Sequence, residues 1–137
     1  LRLDLDHWPH RWFGFWREYG KDYERCPSIR DFVRPDLVAR YDKAGLRRYM
    51  TTAQNLAMTS RAAFAHPFTG ERGRGALGQM TDGRWTWLSD LPEYIDEYDV
   101  AIPTMWLREI EARGFVPPHV DVADPAVRAA LDQPPVV

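Results

Sequence analysis

Residues 73–78, Gly73-Arg74-Gly75-Ala76-Leu77-Gly78, carry the glycine spacing with which a dinucleotide-binding loop wraps a pyrophosphate, and their basic neighbours would suit its charge. That chemistry needs a strand before the loop and a helix opening at its end, so that the helix N-terminus meets the phosphate. Strand periodicity and a hairpin follow here instead, so a plain flexible loop is the better account. His7 and His10, with Asp4 and Asp6 nearby, could share a face toward a metal, but the spacing fits no closed zinc pattern and no metal is expected. Cys26, His66 and His119 could supply a nucleophile and a base, yet Cys26-Pro27 has none of the local signatures of catalytic cysteines, and a buried apolar thiol is the commoner role. Two constellations remain. Asp90, Glu93, Asp96, Glu97 and Asp99 read either as a solvated helix face or as an acidic patch that steers a basic partner. His66, Arg72 and Arg74 border a loop over residues 66–78 that could hold an anionic substrate.

The elements that must position these groups follow from periodicity. Pro9 opens and Gly20 closes an expected aromatic helix, with Trp8, Trp12, Phe15, Trp16 and Tyr19 at helical spacing and Trp12 or Trp16 as the exposed ring. Ser28 with Asp31 resembles a capping box, and Pro35 opens a further helix that bends or breaks at Gly45. Leu56, Met58, Ser60, Ala62 and Phe64 alternate, predicting a strand over 55–64. Residues 77–81 and 84–88 flank Asp82-Gly83, a strong hairpin signal because both turn residues tolerate positive φ, and Trp85 and Trp87 share one strand face. Asp90 and Glu93 then cap a helix bearing Leu91, Tyr94, Ile95 and Tyr98, and Pro103 starts another that Arg113-Gly114 ends. The expectation is an α+β fold, a three-stranded antiparallel meander packed against several short helices. Residues 1–137 form one domain, with 119–137 a loosely packed tail containing a short helix after Asp124-Pro125.

Composition limits the function. A net charge of −2 and a pI near 6.1 give no reason to expect nucleic acid as partner. Charge is unevenly placed: residues 1–50 hold 11 Lys or Arg against 8 Asp or Glu, whereas residues 81–100 hold 1 Arg against 6 acids. Cys26 is the sole cysteine, which excludes an intrachain disulfide and fits a reducing, cytoplasmic compartment. No apolar run approaches the roughly 20 residues of a membrane span.

The run Thr81-Asp82-Gly83-Arg84-Trp85-Thr86-Trp87, then Asp90-Leu91-Pro92-Glu93-Tyr94, Ile102-Pro103 and Trp106-Leu107, resembles small bacterial immunity-like proteins, some of them encoded beside polymorphic toxins. Thr59-Ser60, the turn Pro67-Phe68-Thr69-Gly70 and an N-terminal aromatic segment extend the resemblance over roughly residues 8–118. It implies a cytosolic protein that neutralises a partner toxin by direct contact, without catalytic residues or cofactor, and it carries over no contact positions. The expected partner-binding residues are therefore the acids of residues 90–99, facing a basic toxin domain. A small enzyme or ligand-binding domain built on the 66–78 loop is the alternative, and an auxiliary structural subunit is a third. A pocket converging on His66, Arg72 and Arg74 would favour the alternative.

Overall fold

The computed structural model describes residues 4–137. Its centre is an antiparallel sheet of three strands in the order β1 (Gln54–Ser60), β2 (Ala76–Thr81), β3 (Thr86–Leu88), surrounded by five short α-helices. These are α1 (Pro35–Val38), α2 (Lys43–Thr52), α3 (Leu91–Tyr98), α4 (Thr104–Ala112) and α5 (Pro125–Ala130). The fold is the expected α+β meander backed by helices. Among the described residues no helix is long and apolar enough to cross a membrane.

The connection between β2 and β3 is wider than a two-residue turn. Thr81 and Thr86 are the last paired residues, leaving Asp82-Gly83-Arg84-Trp85 as a four-residue loop. Asp82 closes it from within, its Oδ1 accepting from the backbone N–H of Arg84 at 3.0 Å and of Trp85 at 2.7 Å, while Gly83 takes the positive φ of 91°. Trp85 and Trp87 both reach Trp106 of α4, with ring centroids 5.3 and 5.0 Å away, so the expected common face exists although Trp85 lies outside the strand.

Residues 9–20 do not form the expected helix. Residues 11–13 run parallel to β3, where Phe13 N–H donates to the Thr86 carbonyl and Thr86 N–H to that of Arg11, both at 3.0 Å. A helix would have buried one stripe and left Phe13 off it, but Trp12, Phe13, Phe15 and Trp16 are all buried, which needs an irregular extended chain kinked at Gly14 (φ 86°). Neither Trp12 nor Trp16 is exposed. Trp8, Phe13, Trp16 and Phe32 meet in edge-to-face and tilted pairs with centroids 5.2–5.6 Å apart, a favourable geometry for aromatic quadrupoles.

Gly45 is not a break. Asp42 caps α2 by accepting from Gly45 N–H at 2.9 Å, and a Cβ there would lie 2.7 Å from the Asp42 carboxylate and 2.8 Å from the Phe115 ring. The glycine makes room for the cap and for Phe115. The strand expected over 55–64 stops at Ser60, whose hydroxyl accepts from Ala62 N–H and turns the chain into a 3₁₀ turn over Arg61–Ala63. Its pairing also slips between Asn55 and Ala57, and beyond the slip residues 57–60 are exposed on both faces, Met58 among them.

The C-terminal segment makes defined contacts. Asp132 accepts from Arg11 N–H at 3.0 Å, Val137 N–H donates to the Asp22 carbonyl at 2.9 Å, Leu131 is buried, and the Arg128 guanidinium donates to the Leu56 carbonyl of β1 at 3.1 Å.

Candidate functional site

A cavity of about 140 Å³ opens between α3 and the segment joining β1 to β2, and it is lined by Tyr19, Arg61, Phe64, His66, Arg72, Asp90, Glu93 and Tyr94 among others. Tyr19, Phe64, Asp90 and Tyr94 are buried and form its floor, whereas Thr69, Glu71 and Arg72 are exposed and form its rim.

Asp90 departs most from expectation. It occupies the N-cap position of α3 but makes no capping hydrogen bond. Pro92 has no N–H to offer, and Glu93 N–H is taken by the Asp90 carbonyl at 3.0 Å, so the side chain is released inward. Its Oδ2 accepts from the Tyr19 hydroxyl at 2.8 Å and from the Tyr94 hydroxyl at 2.7 Å, while its Oδ1, also buried, has no donor among the described residues. At 3% exposure Asp90 cannot belong to a solvated acidic face. Burial pushes its carboxyl above the usual carboxylate range, against the pull of the two hydroxyls and of Arg61. Burial and the adjacent Asp90 in turn hold the Tyr19 and Tyr94 hydroxyls neutral far into alkali.

The other predicted acids divide. Glu93 is paired with Arg61 at 2.8 Å and Asp96 with Arg47 at 2.6 Å, so two charges of the face are met by arginines from other elements. Glu97 is exposed, and Asp99 ends α3 in the left-handed conformation (φ 56°); neither has a basic partner within ion-pair distance among the described residues. Of the anion-binding set, the cavity brings together His66 and Arg72 but not Arg74, which is exposed outside its lining. His66 Nδ1 accepts from the backbone N–H groups of Phe68 (3.1 Å) and Thr69 (3.2 Å), which places the ring proton on Nε2 and makes the imidazole the organiser of the 66–70 turn. The glycine motif has no phosphate-binding geometry, because β2 starts at Ala76 and Gly78 lies inside it.

Tyr19, Arg61, Phe64 and Tyr94 were missed in the sequence, as was a second buried carboxylate, Asp82, which joins α2, α4 and the β2–β3 loop through Tyr49, Trp106 and Arg113. Invariant spacing gives no clue to such groups, since Tyr19 and Asp90 stand 71 residues apart. A tyrosine-rich set of elements around lone acids was the only available hint.

His7 pairs with Asp4 and His10 stacks on Trp12 at 4.7 Å, and among the described residues no three of His, Cys, Asp and Glu gather in a metal-like group. Cys26 lines a different hollow, beside Trp8, Trp12 and Pro27, into which neither His66 nor His119 enters. Burial pushes its thiol up to about 11. A folded-state value above the unfolded one means that this group's contribution to stability is complete below about pH 9 and is lost as pH rises through 11. Urea midpoints of the wild type and of Cys26→Ala should therefore diverge less at pH 10.5 than at pH 8, and Cys26 should react with an aromatic disulfide at neutral pH only as fast as the protein opens. Rapid labelling of the folded protein would contradict the burial.

Compared with models of known families, with curated proteins and with solved structures, the chain matches none.

Proposed function

We propose that the protein is a cytoplasmic binding protein of the immunity kind, which neutralises a basic partner toxin by direct contact through α3 and the cavity beside it. The observation that carries this reading is the arrangement of acid around α3: Glu97 is exposed in its last turn and half-buried Asp99 follows as its C-cap, neither paired with a base among the described residues, while Asp90 at the N-cap keeps one buried carboxylate oxygen without a donor among them. Acid concentrated around one helix orients and accelerates encounter with a basic surface. The resemblance of the hairpin and capped helix to immunity-like proteins supports the same conclusion. An anion held by His66, Arg72 and Arg74 has less in its favour, because Arg74 stands apart and the cavity floor is a carboxylate.

The test is the affinity of the purified protein for the product of the adjacent reading frame at low and high salt. Glu97→Lys with Asp99→Lys should weaken binding about tenfold or more at low salt and flatten its salt dependence. Glu93 and Asp96 are left intact because their arginine partners would be unpaired by the change. Equal affinity and equal salt slope for variant and wild type would discard the acidic-face interaction.

A further inference from the structure

The cavity over Asp90 has the composition of a site for an organic cation. Its floor combines three aromatic rings, Tyr19, Phe64 and Tyr94, with one carboxylate, and Tyr19 and Phe64 stand edge to face with centroids 5.2 Å apart. Aromatic faces attract ammonium groups and repel anions. Both floor hydroxyls already donate to Asp90 Oδ2, so they have no proton left for an anion, whereas Asp90 Oδ1 is an acceptor without a donor. A buried carboxylate oxygen left in that condition is costly, and a charged donor is the partner that compensates it best.

The charges at the rim agree with a cation below. Arg61, the basic group nearest the floor, is held by Glu93, and Glu71 stands beside Arg72 at the exposed edge. The lining holds three carboxyl groups, of Glu71, Asp90 and Glu93, against two guanidinium groups, and the most deeply buried of the five is Asp90. Size narrows the ligand further. At about 30 Å³ per water-sized unit, the 140 Å³ available takes a handful of heavy atoms, the end of a lysine side chain or a free alkylamine of that length.

We infer that this cavity binds a primary alkylammonium group, with Asp90 Oδ1 accepting from the ammonium and the Tyr19, Phe64 and Tyr94 rings packing on its methylenes. Its occupation by a lysine of a basic partner rests on the function proposed above; the site itself does not.

The experiment needs no partner. The folded protein is titrated with n-butylammonium chloride, with 1-butanol and with Nα-acetyl-lysine methylamide, each against sodium chloride of equal ionic strength, while the aromatic ring resonances are followed by NMR. Saturable shifts at Tyr19, Phe64 and Tyr94 with the two amines, and about tenfold or more weaker effects with 1-butanol, are expected. Asp90→Asn keeps an acceptor for both tyrosine hydroxyls and should lose the amine response. Ala65→Leu, which adds bulk to the cavity lining without changing charge, should lose it too and guards against an unstable Asp90 variant. A lysine amide that binds at least as well as butylammonium assigns the site to a protein side chain, and the reverse order assigns it to a free amine. Equal responses to butanol and butylammonium, or an undiminished response in folded Asp90→Asn or Ala65→Leu, would overturn the site. Because Glu97→Lys with Asp99→Lys should leave the amine titration unchanged, failure of the acidic-face reading and failure of this one are separable.

Discussion

Replacing Asp82 by alanine should destabilise the protein by about 3–5 kcal/mol, the usual cost of removing one member of a buried charged network. Asp82 is 2% exposed and serves five groups at once. Its Oδ1 holds the Arg84 and Trp85 N–H groups, and its Oδ2 accepts from the Tyr49 hydroxyl at 2.8 Å and the Trp106 Nε1–H at 3.2 Å, with the Arg113 guanidinium 3.3 Å away. Alanine would leave the Trp85 N–H, the Tyr49 hydroxyl and the Trp106 indole N–H buried without this acceptor, and each such group costs about 1–3 kcal/mol, whereas the Arg84 N–H and the Arg113 guanidinium are open enough to reach water. Arg113 also donates to the Tyr49 hydroxyl at 2.8 Å, so part of the network would persist and the loss should fall short of the sum. Urea unfolding of the variant gives the figure directly. A loss below about 1 kcal/mol would mean that the loop closes without its carboxylate.

Trp106→Ala should cost a comparable amount, about 3–5 kcal/mol, by a different route. The Trp106 indole is fully buried, stacked on Trp85 at 16° and tilted 47° on Trp87, and its removal would leave a hollow that two rigid indoles and the sheet beneath them cannot fill. Trp106→Phe separates the two contributions, because it restores most of the ring while deleting the N–H to Asp82. The phenylalanine variant should be clearly more stable than the alanine one, and combining it with Asp82→Ala should cost less than the sum by about 0.5–3 kcal/mol. Strict additivity of the two would show that the Trp106 to Asp82 hydrogen bond contributes nothing to stability.

Both predictions depend on groups whose importance was only partly legible in the sequence. Gly83 and Asp82 announced a hairpin correctly, since a positive φ and a short carboxylate are local requirements. That the same carboxylate would also hold two helices is decided by contacts from Tyr49, Trp106 and Arg113, which no local rule includes. Asp90 failed for the same reason in reverse. The sequence rule for a cap considers the next three residues, and of the two tyrosines that captured the side chain Tyr94 lies just beyond that window and Tyr19 far upstream. The 9–20 segment misled through periodicity: five aromatics fit a helical stripe, but Phe13 and Gly14 did not, and the chain satisfied all of its aromatics by lying along β3. Among the charged groups, Glu97 is exposed and Asp99 half-buried, as expected of charged side chains at a helix end. Glu93 and Asp96 were read as free acids because their arginines come from the β1 exit and from α2.

The contact between Arg128 and Leu56 bears on what the molecule avoids. β1 is the outer strand of the sheet, and an outer strand offers main-chain groups to any extended peptide, including a second copy. Here the register slips at Leu56, and the carbonyl of that residue is occupied by a guanidinium from the far end of the chain. An incoming strand would meet an interrupted ladder with one acceptor already taken. The C-terminal helix thus places a positive charge on the open edge of the sheet, one of the devices that disfavour the addition of a further strand there.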